Sequence, residues 1–330
     1  IICSANPRPC LTLFWKSRMT NKKWTTIACA FLAAIFAGAA SSEPYFQGVK
    51  PCETCHSAEV EVWEGTVHAK SYKTTRKSEK ALALLAAVGS EQSMKKDPLC
   101  ISCHFSLRQK TASSKPKAKD GPSCESCHGP SSDWIDIHND YGEYASAEEE
   151  PPEHKAKRLA RAEEAGMIGA FNLFGIAGNC ASCHGLSRPD IEGEQLAAMF
   201  DHGHPLNAEF ELVRYSQGSV RHRFYPPNID INAELDDSGL ARLYVLGKAA
   251  QIIAADQAIA IAPAGAYKQA QQAIADAARS ALQPVANESA VAAFLAKPTA
   301  EQGRALAKSL EDSDLSSLLA NQLPAPEDYK

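Results

Sequence analysis

No apolar run in this 330-residue chain is long enough to cross a bilayer comfortably. The longest, Ile27 to Ala40, has 14 residues, against about 20 for a spanning helix, which excludes a polytopic membrane protein. Nor is there a shortage of apolar residues or an excess of charge. At 45% hydrophobic and 22% charged the composition is globular, so disorder and collagen-like repeats are excluded too. Acidic residues are missing from positions 1–40, and residues 226–330 contain neither cysteine nor histidine. Cysteine is the abnormal count, at eleven.

The sequence opens on Ile1, and Met19 is the expected translation start, with residues 1–18 upstream of it. From Met19 the order is basic (Lys22, Lys23), then apolar from Ile27, then small from Gly38 to Ser42. That order reads as a secretory signal peptide over 19–42, cleaved near Ala40. Thr26 to Cys29 has only a faint likeness to a lipid-attachment box, with little apolar sequence before it. Export takes away five basic residues and no acids, which leaves 29 bases against 39 acids, a net charge of −10. Such a surface excludes nucleic acid as a partner, because phosphate contacts need positive charge.

Cys3, Cys10 and Cys29 leave with the leader. The remaining eight cysteines fall into four pairs of one spacing, each followed at once by histidine: Cys52/Cys55/His56, Cys100/Cys103/His104, Cys124/Cys127/His128 and Cys180/Cys183/His184. None is left over. Cys-x-x-Cys-His is the attachment signature of c-type haem. Cysteines three apart lie on one side of a helical turn, where each thiol meets one porphyrin vinyl group. The next histidine then lies under the iron as an axial ligand. Disulfides suit an exported protein and zinc suits cysteine pairs, but neither needs four histidines at this position. The strand–helix setting of a thioredoxin-like pair is also missing. The motifs therefore predict four covalently attached haems c.

Six histidines remain as second axial ligands: His68, His138, His154, His202, His204 and His222. Histidine on both sides of an iron suits electron transfer, and an open side suits ligand binding. His68 follows Trp63, and His138 follows Trp134, each an aromatic ring able to pack on a porphyrin face. His202 and His204 form a His-Gly-His-Pro turn in which either one, but not both, can serve a given iron. His222 lies between Arg221 and Arg223, which could pair with haem propionates. His154 opens a charged helix and reads as solvated.

With these residues in place, the chain resembles the tetrahaem cytochrome c-554 family from about Pro51 to His222. The likeness rests on the four haem motifs, on Trp63 with His68, Ala69 and Lys70, on Gly121 through Pro130, on His138 eight residues after Pro130, and on the His202/His204 pair. It implies a mostly α fold with little sheet, a haem-packed core and haems in close pairs. It implies His138 opposite the His56 haem and His68 opposite the His184 haem. It implies His202, less favoured His204, opposite the His128 haem. In the family's type member the second-motif haem lacks a far-side protein ligand, which makes His222 the open question for the His104 haem.

The tetrahaem domain is expected over 43–225, with short helices over Glu53 to His68 and Ser78 to Val88, the latter stopped by Gly89. Arg108 to Lys119 reads as a loop with five positive charges that could dock an acidic partner or simply be solvated. Glu148 to Ala165 reads as a polar helix. Residues 226–330 form an Ala-rich helical segment that the resemblance does not cover. Its expected helices are Leu240 to Ala262, Ala264 to Leu282 and Thr299 to Leu310, the last opened by a Thr299/Gln302 capping box.

The expected function is a periplasmic carrier passing electrons between redox proteins. A membrane-associated quinol oxidase or terminal reductase is among the candidate partners. The competing expectation is a reductase acting on a nitrogen or sulfur oxide at one five-coordinate haem, with Arg221 or Arg223 holding the anion. Polymerisation into a filament would need an intermolecular haem ligand, and no residue pattern points to one.

Overall fold

Leu186 is the one non-glycine residue among those described with a left-handed backbone (φ 48°), and it sits two residues past the fourth motif. How the chain holds that corner organises much of the fold. The computed structural model describes residues 43–223 and 230–330. The expected leader, and the expected boundary at 225/226, lie outside them.

The chain is mostly helical. Its first part holds α1 (Lys50–Glu53), α2 (Ser57–Gly65), α3 (Val67–Thr74), α4 (Glu79–Ala87), α5 (Pro98–His104), α6 (Cys124–His128), α7 (Ile135–His138), α8 (Pro152–Glu164), α9 (Leu173–His184), α10 (Gly193–Asp201) and α11 (Leu212–Ser216). After residue 230 come α12 (Asp237–Ile261), α13 (Ala266–Ala281), α14 (Ser289–Ala296), α15 (Ala300–Ser309) and α16 (Ser316–Leu319). One two-stranded antiparallel hairpin joins β1 (Ser106–Arg108) to β2 (Lys117–Asp120), with Leu107 opposite Ala118. No helix of the described residues is long and apolar enough to cross a membrane.

Local chemistry sets these boundaries. The helix expected over Glu53 to His68 is broken twice. His56 leaves the helical region (φ −116°, ψ 37°), and Thr66 is extended and caps α3 by accepting the Ala69 N–H. Ser78 caps α4 by accepting the Ala81 N–H, and Gly89 closes it, as expected, with φ +71°. The loop expected over Arg108 to Lys119 is shorter than that, because both its ends pair as strands. Thr299 caps α15 through the Gln302 N–H.

The largest apolar core is built around α12. Leu243, Val245, Leu246, Ala249 and Ile252 are buried there with Leu173, Phe174, Ala177 and Ala181 of α9, Leu212 and Val213 of α11, and Phe294 and Leu306 of α14 and α15. Contacts across residues 42–330 form one compact unit. The Ala-rich helices therefore bury the fourth haem-motif helix in their own core. Small residues allow the close approach: a Cβ on Gly303 of α15 would fall 2.0 Å from Cζ of Phe174.

The Leu186 corner is held from the same side. Tyr267 of α13 donates its hydroxyl to the Leu186 carbonyl at 2.6 Å. Gln271, one turn on, donates to the Gly185 carbonyl at 2.8 Å. Both side chains are buried, so each satisfies a polar group that burial would otherwise leave costly. The residue after His184 is thus fixed by helices that carry no haem motif.

Candidate haem-binding site

Each motif sits on a helical turn whose start the sequence encodes. The second fills α5, where Asp97 accepts the Leu99 N–H at 2.9 Å and Pro98 takes the first position, a preferred place for proline. The third is α6, opened by a reciprocal Ser123/Ser126 capping box. Gly129 closes it with φ +84°, and a Cβ there would meet the Gly166 carbonyl at 2.5 Å. The fourth ends α9, which Asn172 caps through the Gly175 N–H. The first begins in α1 and runs through a turn, with the His56 N–H on the Cys52 carbonyl at 2.9 Å.

None of these eight cysteines is in a disulfide. They gather across motifs: Cys52 lies beside Cys124, and Cys103 beside Cys183, close enough for each thiol to shift the titration of the other. The first motif therefore lies beside the third, and the second beside the fourth. The Cys103 contact pulls the Cys183 thiol down to about 6, whereas burial pushes Cys100 up to about 12.

The histidines form four pairs. His56 faces His138 at a ring-centroid distance of 6.3 Å, His68 faces His184 at 6.0 Å, His104 faces His204 at 6.0 Å, and His128 faces His222 at 6.3 Å. Every pair joins one motif histidine to one histidine from outside the motifs. The spacing suits a metal between them: two imidazoles each bound at about 2.0–2.1 Å place their ring centres about 6 Å apart. Among the described residues no group of three or more His, Cys, Asp or Glu is arranged to hold an ion. Two facing imidazoles leave the remaining coordination positions of an iron free for a flat macrocycle such as a porphyrin.

Burial and hydrogen bonding prepare the rings. Burial, and then the neighbouring His204, pushes His104 down to about 4. Burial likewise brings His184 to about 4 and lowers His68, His128, His138 and His204. A neutral imidazole is the form that binds a metal. Backbone carbonyls lie on the Nδ1 side of His128 (Ile168, 2.8 Å), His138 (Ile135, 2.5 Å), His204 (Pro205, 2.9 Å) and His222 (Arg223, 2.8 Å). A carbonyl only accepts, so Nδ1 carries the proton and Nε2 keeps its lone pair for a metal. Trp134 packs edge-on against His138 at 5.3 Å, and its buried indole N–H has no acceptor among the described residues. That donor fits a porphyrin propionate.

One pairing implied by the resemblance differs here, and the place left open opposite His104 is taken by a histidine other than His222. His202, expected opposite His128, is exposed at the end of α10. His204 faces His104 instead, and His222 faces His128. The reason is the turn: Gly203 is left-handed (φ +88°), which closes α10 and carries His204 away from the His202 side. His154, expected in solvent, lies with Nδ1 2.6 Å from buried Glu150, which also binds Arg158. Arg158 in turn donates to the His138 carbonyl. The arginines beside His222 meet carboxylates, Arg223 on Glu59 and Arg221 near Glu234 at 3.9 Å. The second oxygen of Glu59 lies 3.5 Å from His56 Nδ1. Glu59, Glu150, Arg158 and Tyr267 carry no motif in the sequence. Only their tertiary partners mark them.

Residues 51–129, which hold the first three motifs, match the family model of cytochrome c554 and c-prime. That stretch is similar to the family. Cytochrome c-554 of Nitrosomonas europaea is 28% identical over 168 residues, covering 48% of this chain and 67% of that protein. No solved structure matches. The likeness to the cytochrome c-554 family supports a c-type cytochrome, an electron carrier with covalently bound haem c.

Proposed function

We propose that the chain is an exported tetrahaem electron carrier in which every iron is held between two histidines. The observation that carries this reading is the pairing of each motif histidine with a single outside histidine at 6.0–6.3 Å. Cys52 and Cys55, Cys100 and Cys103, Cys124 and Cys127, and Cys180 and Cys183 each tether one haem by two thioethers. His56, His104, His128 and His184 are the proximal ligands, and His138, His204, His222 and His68 their respective distal partners.

Haem c supplies a one-electron ferric/ferrous couple when bound. The chain holds the coordination shell still while the charge changes. Fixed Nδ1–H bonds orient the rings of His128, His138, His204 and His222, and burial favours the neutral form of His68, His104, His128, His138, His184 and His204. Contacts between first- and third-motif thiols, and between second and fourth, support two close pairs of haem sites for short electron steps. A partner for His104 weighs against a reductase with an open iron. The leader order supports a periplasmic location, where other redox proteins of an electron-transfer chain would be donor and acceptor.

Low-temperature EPR of the oxidised, haem-loaded protein tests the reading. Four low-spin ferric irons are expected. A stoichiometric high-spin signal, with CO binding after reduction, would favour the reductase.

A further inference from the structure

Charge is distributed very unevenly over this chain. Residues 66–121 carry twelve Lys/Arg against four Asp/Glu, a net of +8. The remaining described residues carry 17 against 35, a net of −18. The two basic stretches of this segment, Lys70 to Lys80 and Arg108 to Lys119, are far apart in sequence but fold onto one small core. Tyr72 of α3 meets Phe105 edge-on at 6.0 Å, and its hydroxyl reaches the Ala118 carbonyl of β2 at 3.4 Å. Leu85, Met94 and Phe105 are buried among Tyr72, Ala81, Ile101 and Ala118. The two-residue period of β2 turns Ala118 inward and leaves Lys117 and Lys119 exposed.

The second observation is that these charges are uncompensated. Lys157, Arg158, Arg188, Arg221, Arg223 and Arg279 all pair with carboxylates, and all lie outside the lobe. Among the described residues, none of the twelve lobe cations makes an ion pair within 4.0 Å. Asp120 feels Arg108 and Lys119 electrostatically, but burial dominates and raises its pKa. A solvated face on an acidic protein would ordinarily mix its signs. A lobe of one sign sets up a field that steers opposite charge. The lobe also contains the second haem motif and His68, so it contributes one histidine to each of two of the four facing pairs.

We propose that residues 66–121 form the docking surface for an acidic redox protein that exchanges single electrons with this cytochrome, one partner oxidised as the other is reduced. The proposal rests on the carrier reading above.

Small oxidants of defined charge test it by stopped flow on the dithionite-reduced, haem-loaded protein. Ferricyanide, an anion, takes one electron per ion and becomes ferrocyanide. Despite the negative net charge, its rate is expected to fall severalfold as ionic strength rises from 10 to about 300 mM, the span over which screening becomes short-ranged. The variant Lys115→Glu/Lys117→Glu/Lys119→Glu should reverse that slope. The variant Lys155→Glu/Lys297→Glu/Lys308→Glu, altered outside the lobe, should keep it. A wild-type rate that rises with salt, or a lobe variant indistinguishable from wild type, overturns the docking proposal alone. Tris(phenanthroline)cobalt(III), a cation, separates the two failures. If neither oxidant takes electrons, the carrier reading falls and the proposal with it. Co-sedimentation with phosphatidylglycerol vesicles at 150 mM salt, lost in the lobe variant, would assign the surface to a membrane and overturn a protein partner.

Discussion

His204 faces His104 across a gap of 6.0 Å between ring centres, while His202, two residues earlier, is exposed. His204→Ala should therefore open the second-motif iron. Its EPR should gain one high-spin ferric component, and the reduced protein should bind one CO per chain. His202→Ala should leave both unchanged. A high-spin signal from His202→Ala instead would show that the turn presents the other histidine.

Gly303 lets α15 lie against Phe174, in the first turn of the helix that carries the fourth motif. Gly303→Ala adds a methyl where Phe174 already sits, so overpacking should cost about 1–3 kcal/mol. Denaturant unfolding of the haem-loaded protein measures it. Stability equal to or above wild type, as expected for alanine in an open helix position, would contradict the packing described.

Tyr267 tests whether α13 fixes the corner after His184. Tyr267→Phe keeps the buried ring and removes the hydrogen bond to the Leu186 carbonyl. The expected loss is about 0.5–1.5 kcal/mol, with faster amide exchange at Leu186 and Ser187. Unchanged exchange there would show that the Gly185–Leu186 corner holds without it.

Acid should loosen the His138 side of the molecule at low pH. The Arg158 guanidinium holds the Glu150 carboxyl down to about 2, below the value of about 4.3 in an unfolded chain. Because the folded-state value is the lower one, this stabilisation is complete above about pH 4.3 and is lost as pH falls toward 2. Glu150→Gln should flatten the pH dependence of stability between those limits. An unchanged acid limb in circular dichroism would contradict it.

The four Cys-x-x-Cys-His motifs were legible because the pattern is local, complete within five residues. So were the helices with local start signals, such as Ser78 for α4 and Thr299 for α15. The pairing of distal histidines was not, because it depends on which helices pack together. His204 and His202 differ only by the turn that Gly203 makes. The β-hairpin escaped notice because Lys117 to Asp120 has the lysine-rich look of a loop, and its inward residue is a single alanine. Glu150 and Arg158 read as the solvated start of a polar helix. Each is buried because the other neutralises it, and no spacing in the sequence announces that.

The most direct test of the central claim is a haem count. A pyridine haemochrome assay with intact mass, on protein matured in a host with cytochrome c assembly machinery, should give four haems per polypeptide, all resistant to acid–acetone. Fewer than four, or pigment that extracts, would contradict the assignment of one haem to each of His56, His104, His128 and His184.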